Sequence, residues 1–304
     1  MNTWNAKNTR PPGLRARTIH IFSTPTVMKK ITYFSQLLIR MALLAGVACV
    51  VPACSQKDDV APAPPLVAGT GTGLAKADKT QTFYGPAVPL GQGVGRAWVT
   101  VNAAGTPVSI GVDVSANSMR NQGPQPSEYT FRLPSQVAVA PYDHIELGWN
   151  PKGHEPAGIY TFPHFDLHFY MITSAFQATI PFLAPPAFDT APAPAYMPTA
   201  YFMGPGLVPN MGAHAVDLTS PEFQPGGLFT KTFIYGSYNG NITFLEPMFT
   251  LAYLNNQLDE TFPIRQPQAF QRAGYYPTSY TISYDRTPQH YRISLDNLTY
   301  HPAQ

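Results

Sequence analysis

Apolar and polar positions alternate with a period of two through most of the chain after about residue 80. Residues 94–102 and 107–114 alternate in this way on either side of a short polar connection, which predicts a β-hairpin. Asn239-Gly240 lies between two further strand-like runs and is typical of tight hairpin turns. Because such pairs recur without long intervening helices, the pattern predicts mainly antiparallel β structure.

The remaining segments complete this prediction of fold class. We expect a mainly β (α+β) domain, built as an antiparallel β-barrel or β-sandwich with a few short helices. The Pro-rich segment 183–210 is expected to cover one end of a sheet. Further strands are predicted at 128–132, 144–149, 276–284 and 291–295, and short helices at 174–182, 250–257 and 266–273.

The run from Ile159 to Ile172 is rich in aromatic and β-branched residues and is predicted to be a strand. Side chains alternate along a strand, so His164, Asp166 and His168 share one face. Two imidazoles and a carboxylate in a row suit one wall of a metal site. Same-face neighbours lie about 6.6 Å apart, which separates His164 from His168 by roughly 13 Å. Only two neighbours of the three are therefore expected to bind one ion directly.

Other ligands must come from elsewhere in the chain. His154 lies in the loop that precedes this strand, and His214 follows Met211-Gly212-Ala213. Glu246 is a lone carboxylate in an apolar strand, where an unpaired charge is costly. The predicted ligands of a divalent ion such as Zn, Mn, Fe, Ni or Cu are His164, His168, His214 and Glu246, with Asp166 and His154 as alternates.

Two alternatives compete with metal binding. Buried His and Asp side chains often bond to each other in β-proteins without an ion, and a His/Asp pair without metal can act in acid–base catalysis. His144 alternates with core-facing apolar residues and is expected to face solvent. Cupins are an analogy only, because the Gly and Glu spacing usual around a His-x-His pair is absent.

The N-terminal region has the features of an export signal. Met28-Lys29-Lys30 opens a basic segment, and residues 41–51 form an apolar stretch too short to span a bilayer. Val51-Pro52-Ala53-Cys54 resembles the lipobox of bacterial lipoproteins, which implies cleavage before Cys54 and its acylation. Cys49 fits less well, since Gly46 stands where a lipobox has Leu or Val.

This signal defines the expected organisation of the chain. Residues 1–27 are an expected over-extended start, 28–53 the signal peptide, 54–79 a flexible tether, and 80–304 a single β-rich domain. Lys57-Asp58-Asp59 resembles a sorting signal for the outer cell surface. The expected location is the outer membrane, through a lipid anchor at Cys54.

Charge and cysteine content narrow the function further. Seven of the 19 Lys and Arg residues but none of the 17 Asp and Glu residues precede Cys54, so the exported part carries a net charge of −5. Such a domain has no basic surplus for nucleic acid. It also has no cysteine after Cys54, which excludes disulfides and thiolate ligands within the domain.

The motif Pro163-His164-Phe165-Asp166-Leu167-His168-Phe169-Tyr170 resembles the most specific segment of an uncharacterised family of secreted bacterial β-proteins. The resemblance implies one domain over roughly residues 80–300 and supports the candidate residues, but implies no activity. In that family Gly-x-His continues into Trp and Asp, whereas this chain has Ala215-Val216-Asp217. The other similar segments are Trp149-Asn150-Pro151, Gly153-His154-Glu155-Pro156, Met211-Gly212-Ala213-His214, residues 233–238, residues 244–248 and residues 274–280.

Two functions follow from these patterns. The first is a surface-tethered β-protein with a His/carboxylate metal centre, hydrolase-like or oxygenase-like, acting on a small molecule. The second is a non-catalytic envelope module that binds a ligand or self-associates, with the His/Asp cluster as a buried hydrogen-bond network. Convergence of His214 and Glu246 on the face of His164 and His168 is the geometric expectation that favours the first.

Overall fold

The computed structural model describes residues 79–304. The predictions for residues 1–78, including the signal peptide, acylation of Cys54 and nearly all of the tether, lie outside the described residues. Within residues 79–304, no helix has both the length and the apolar character needed to cross a membrane.

Strands are the main regular structure of the described chain, with three short α-helices between them. The helices are α1 (Ala116–Arg120), α2 (Ser174–Gln177) and α3 (Leu251–Leu254). The strands are β1 (Gln81–Tyr84), β2 (Val88–Leu90), β3 (Gly93–Val101), β4 (Pro107–Ser115), β5 (Ser127–Arg132), β6 (His144–Asn150), β7 (His164–Tyr170), β8 (Tyr201–Met203), β9 (Ala213–Asp217), β10 (Lys231–Tyr238), β11 (Asn241–Thr250), β12 (Glu260–Pro263), β13 (Gly274–Tyr276), β14 (Ser279–Asp285), β15 (His290–Asp296) and β16 (Thr299–His301).

The strands form two large antiparallel sheets and one small ribbon. Sheet I has the order β1-β3-β4-β15-β14-β12, with β2 also paired to β3, and sheet II has the order β5-β6-β7-β11-β10-β9-β8. The ribbon consists of β13 and β16. The predicted mainly β class is confirmed. Of the two predicted architectures the described residues form the sandwich, since the end strands of each sheet do not pair to close a barrel.

The main core lies between the two sheets. Ile110 from sheet I and Phe169 from sheet II are both fully buried in it. The rings of Phe233 in sheet II and Tyr280 in sheet I lie 5.1 Å apart and connect the layers directly. Burial of these inner faces provides the main favourable contribution to folding.

Sheet II is covered on its outer face as well. A second apolar cluster there joins Tyr160, Ile180 and Phe229, from the long connections, to Tyr170 and Met248 on the sheet. All seven residues of β7 are buried as a result. Polar side chains on the outer face of β7 are therefore removed from water, although they lie outside the main core.

Both predicted hairpins are present. Asn239 and Gly240 have φ of 47° and 78°, the positive values that a two-residue turn of this kind requires. Between β3 and β4, the Asn102 side chain accepts hydrogen bonds from the backbone N–H groups of Ala104 and Thr106, both at 3.0 Å. The Pro-rich segment contacts the end of the β10–β11 hairpin, where Thr190 accepts a hydrogen bond from the N–H of Gly240 at 2.8 Å.

The predicted helices are longer than those observed. The helix predicted at 174–182 is α2, which ends at Gln177; Pro181 prevents its extension to 182, since proline disfavours helical backbone in the residue before it. The second covers only four residues of 250–257, and the segment 266–273 has no helix. Gln266 and Gln271 there bond to backbone groups of other segments. The helix α1 was not predicted.

Candidate functional site

The side chains of β7 alternate between the two faces of the sheet, as predicted. His164, Asp166 and His168 lie on the outer face of sheet II, while Phe165 and Leu167 belong to the main core. The strand lies inside the sheet, with β6 on one side and β11 on the other. The candidate residues are thus on a buried sheet face covered by loops, and not inside a barrel.

The first group of potential ligands is named the inner triad and consists of His168, His214 and Glu246. The Nε2 atom of His168 lies 3.5 Å from one Glu246 oxygen, and Nε2 of His214 lies 3.8 Å from the other. His168 and Glu246 are each 1% exposed, whereas the His214 side chain is 25% exposed. The predicted convergence of His214 and Glu246 on the β7 face is therefore present.

A glycine allows this convergence across an intervening strand. His214 lies on β9 and pairs with Gly236 on β10, which in turn pairs with Phe244 on β11. A Cβ at Gly236 would lie 2.1 Å from the Phe244 ring. Because Gly236 has no side chain, that ring fits between His168 and His214, with centroids 4.8 Å and 5.2 Å away.

The spacing within the inner triad is longer than that of hydrogen-bonded groups and is compatible with ligands of one metal ion. Hydrogen bonds between N and O span about 2.7–3.2 Å, shorter than either contact to Glu246. Two ligands at about 2.1 Å from a tetrahedral ion lie about 3.4 Å apart, close to the separations observed. Both ring nitrogens of His168 and one oxygen of Glu246 are buried without any hydrogen-bond partner.

Electrostatics favour the same interpretation. Burial lowers the pKa of His168 to about 3 and that of His214 to about 4, so both imidazoles are neutral and carry free lone pairs. Burial, and then the charge of Asp166, raise the pKa of Glu246 well above its usual value. Within residues 79–304 no Lys or Arg pairs with Glu246. The carboxylate therefore lacks a cation.

The second group, named the outer triad, consists of His154, His164 and Asp166. Nε2 of His164 and Nε2 of His154 lie 3.1 Å and 3.3 Å from the two Asp166 oxygens. Asn150 donates a further hydrogen bond to Asp166 Oδ2 at 2.7 Å. Burial acts to raise the pKa of Asp166, but hydrogen bonds and charge from the two imidazoles in their protonated form outweigh it and hold the pKa below its usual value.

His144 does not face solvent, so that expectation was wrong. It is buried on the outer face of sheet II, because the segment that contains α2 covers it, and its Nε2 lies 3.0 Å from Gln177 Oε1. Gln177 donates to Glu146 at 2.7 Å, and Thr130 donates to the other Glu146 oxygen at 3.1 Å. The alternation that places Ile145 in the core also predicts that Glu146 lies on this outer face. It does not predict that the segment containing α2 covers that face.

Five of the six candidate ligands lie on the outer face of sheet II, and His154 reaches the same face from the loop between β6 and β7. They form two triads: His164, expected beside His168, His214 and Glu246, lies instead with His154 and Asp166. Both triads have donor atoms compatible with metal binding. Comparisons of the chain with models of known protein families, with curated proteins and with solved structures find no match. The resemblance to a family of secreted bacterial β-proteins stays a prediction, and function is inferred from the geometry.

Proposed function

We propose that this protein binds a divalent transition-metal ion through His168, His214 and Glu246. The observation that carries the proposal is the state of the buried polar atoms of the inner triad. They lie at the spacing of ligands around one ion, and three of them, Nδ1 and Nε2 of His168 and Oε2 of Glu246, are buried without a hydrogen-bond partner among the described residues. Leaving such groups unpaired in the interior is costly, and one bound cation would satisfy both Nε2 of His168 and the Glu246 carboxylate.

The donor set limits the identity of the ion. Two imidazole nitrogens and one carboxylate suit Zn, Fe, Mn, Ni or Cu. Calcium prefers six to eight oxygen ligands, which the inner triad does not supply. Neutral His168 and His214 with an ionised Glu246 would give a bound divalent ion a net charge of +1, so the ion replaces the missing counter-charge of Glu246.

Three protein ligands leave a coordination position for water or substrate, as in catalytic zinc sites and in non-haem iron oxygenases. The partial exposure of His214 marks the side from which a small molecule would approach. The rings of Tyr170 and Phe244 pack against His168, the first stacked on it and the second edge-on, and provide an apolar wall of the site. This arrangement supports a hydrolase-like or oxygenase-like reaction on a small molecule.

The competing function, a module with a structural hydrogen-bond network, has a direct counterpart on the same sheet face. Glu146, Gln177 and His144 form such a network, in which the carboxylate oxygens and the His144 ring nitrogens have partners. The inner triad lacks those bonds. The contrast favours metal binding at the inner triad and a structural role at Glu146.

Export and lipid anchoring remain part of the proposal and depend on residues 28–54. We expect the chain to fractionate with outer membranes and Cys54→Ser to release it into the soluble envelope fraction. Membrane association that persists in Cys54→Ser would contradict the anchor without affecting the metal proposal.

Calorimetric zinc titration tests the metal proposal. The full chain, purified without a histidine tag and stripped with chelator, is titrated beside His214→Ala and Glu246→Gln. We expect each variant to lose one equivalent of zinc relative to wild type. His290→Ala, on sheet I, is the matched control and should bind as wild type does. Unchanged zinc binding in both inner-triad variants would overturn the proposal.

A further inference from the structure

We propose that the outer triad is a second, separate divalent-metal site. This goes beyond the proposed function, because it depends on different ligand atoms and stands or falls independently of the inner triad. The supporting geometry is at His154, His164 and Asp166, on the loop between β6 and β7 and on β7 itself.

The backbone fixes the proton on one nitrogen of each imidazole. Nδ1 of His164 lies 2.7 Å from the carbonyl oxygen of Phe162, and Nδ1 of His154 lies 2.7 Å from that of Glu155. A carbonyl only accepts, so each Nδ1 carries a proton and donates it. In the neutral ring Nε2 is then a bare lone pair. An Nδ1–H bonded to a backbone carbonyl with Nε2 free is the usual arrangement of a metal-binding histidine.

Both free lone pairs face a carboxylate. A lone pair on Nε2 next to an oxygen of Asp166 is repulsive unless a cation lies between them. Nε2 of His164 and Oδ1 of Asp166 are 3.1 Å apart, yet both are buried and neither has a partner in hydrogen-bond geometry. Two ligands of one ion show this relation, since each directs its lone pair at the metal.

Protonation of both rings is the competing explanation, and it fits His154 better than His164. The His154 side chain is 39% exposed, and its contact with Asp166 meets hydrogen-bond criteria at 3.3 Å. His164 is fully buried, with its ring against Phe229 at 5.3 Å. The two imidazole rings are only 4.6 Å apart, so two imidazolium cations would repel each other in a desolvated site. One divalent ion avoids this arrangement.

Spacing along β7 makes this a separate site. Asp166 and His168 are successive residues on the same strand face, about 6.6 Å apart along the strand. Bridged two-metal centres hold their ions about 3.5–4 Å apart. Because Asp166 points both oxygens at His154 and His164, the outer ion would have its own N,N,O donor set, again suited to a zinc-like ion. The exposed edge of His154 would admit it from solvent.

The test counts zinc equivalents in the full chain. We expect two in wild type, one in His154→Ala, one in His214→Ala and none in the double variant. His154→Ala is the mildest change, because that side chain is partly exposed and lies on a loop. The equivalent that it retains shows that the protein is folded. His154→Ala and His164→Ala that bind as much zinc as wild type would overturn the inference, as would a wild type with a single equivalent that His154→Ala leaves unchanged.

The same design separates this inference from the proposed function. Loss of one equivalent in His154→Ala with no loss in His214→Ala would support the outer site and contradict the inner one. Loss in His214→Ala with no loss in His154→Ala would support the inner site and contradict the outer one. Cadmium NMR of the Cd²⁺-loaded chain gives a second readout. We expect two resonances, one of which disappears in His154→Ala and the other in His214→Ala. A spectrum that His154→Ala does not change would contradict the second site.

Discussion

Asp113 and Glu246 are both carboxylates on the outer face of a large sheet, but their surroundings differ. Asp113 in sheet I accepts two hydrogen bonds from Arg292 at 2.8 Å and one from Trp98 Nε1 at 2.9 Å. The Arg292 side chain also lies over the Trp98 ring, 4.7 Å from its centre. Glu246 in sheet II is more deeply buried, and its nearest polar partners are the neutral imidazoles of His168 and His214.

Asp113 shows how a carboxylate with only a structural role is stabilised in this protein. On sheet I the charge is matched by a guanidinium, and both carboxylate oxygens accept hydrogen bonds. On sheet II, Glu246 has no arginine beside it among residues 79–304; two imidazoles lie there instead, at a spacing compatible with metal ligands. We infer that the partner of Glu246 is an ion, and that the two carboxylates should respond oppositely to the same substitution.

The largest expected effect is on metal affinity. Glu246→Gln should weaken zinc binding at the inner triad by at least about 100-fold, since even outer residues that only orient a ligand contribute about 10–100-fold. Asp113→Asn, the same chemical change on sheet I, should leave the affinity unaltered. Competition titration against a chelator of known affinity measures both. Equal affinities in the two variants would remove the distinction.

The acid response of the metal-free protein is the next largest effect. The pKa of His214 is lowered from its ordinary value near 6.5 to about 4 in the folded protein. Between pH 6.5 and pH 4, His214 therefore binds a proton in the unfolded chain but not in the folded one. Stability should therefore fall as pH drops from 6.5 to 4. The raised pKa of Glu246 acts in the opposite direction, because stability from its protonated form is lost as pH rises.

Glu246→Gln removes that opposing contribution. We compare the single variant Glu246→Gln with the double variant Glu246→Gln/His214→Ala, both in chelator. Between pH 6.5 and pH 4 the unfolding free energy of the single variant should fall by on the order of 2 kcal/mol more than that of the double variant. Urea unfolding at several pH values gives the comparison. Parallel pH profiles would show that His214 is not held neutral by the fold.

Stability at pH 7 should change in opposite directions at the two carboxylates. Asp113→Asn should destabilise the protein by about 2 kcal/mol, since it leaves Arg292 and Trp98 with a weaker acceptor. Glu246→Gln should stabilise the metal-free protein by about 1 kcal/mol, since it removes a buried carboxylate without a counter-charge. Urea unfolding in chelator measures both. Destabilisation by Glu246→Gln of the same size as by Asp113→Asn would mean that Glu246 is already satisfied.

The smallest expected effect comes from the glycine that lets His214 approach. Gly236→Ala should cost about 1–2 kcal/mol of stability and weaken zinc binding about tenfold, because the new methyl group displaces the Phe244 ring. Gly148→Ala is the matched control on the same sheet face, where a Cβ would meet Asp166 at an ordinary 3.8 Å. Equal zinc affinity in the two variants would show that Phe244 does not position the ligands.

Local patterns predicted the parts of this site that depend on one strand. Alternation placed His164, Asp166 and His168 on one face, and the rise per residue indicated that only about two of the three could bind one ion directly. The isolation of Glu246 among apolar residues marked it as a charge in need of a partner. These inferences need only the geometry of a single extended segment, which the residue types determine.

Pairing between distant segments could not be predicted in the same way. His214 reaches Glu246 because β9 and β11 both flank β10, an order set by the packing of the whole sheet. The burial of His144 has a similar cause, since the segment around Gln177 folds back over the outer face. Alternation identifies the two faces of a strand but does not show whether long loops cover the second one.

Anomalous diffraction from crystals of the zinc-loaded full chain tests the central claim most directly. We expect a zinc peak about 2.0–2.2 Å from Nε2 of His168, Nε2 of His214 and an oxygen of Glu246. The contradictory result is a map in which zinc lies only on the protein surface, while Glu246 makes an ordinary hydrogen bond of about 2.7–3.2 Å to His168.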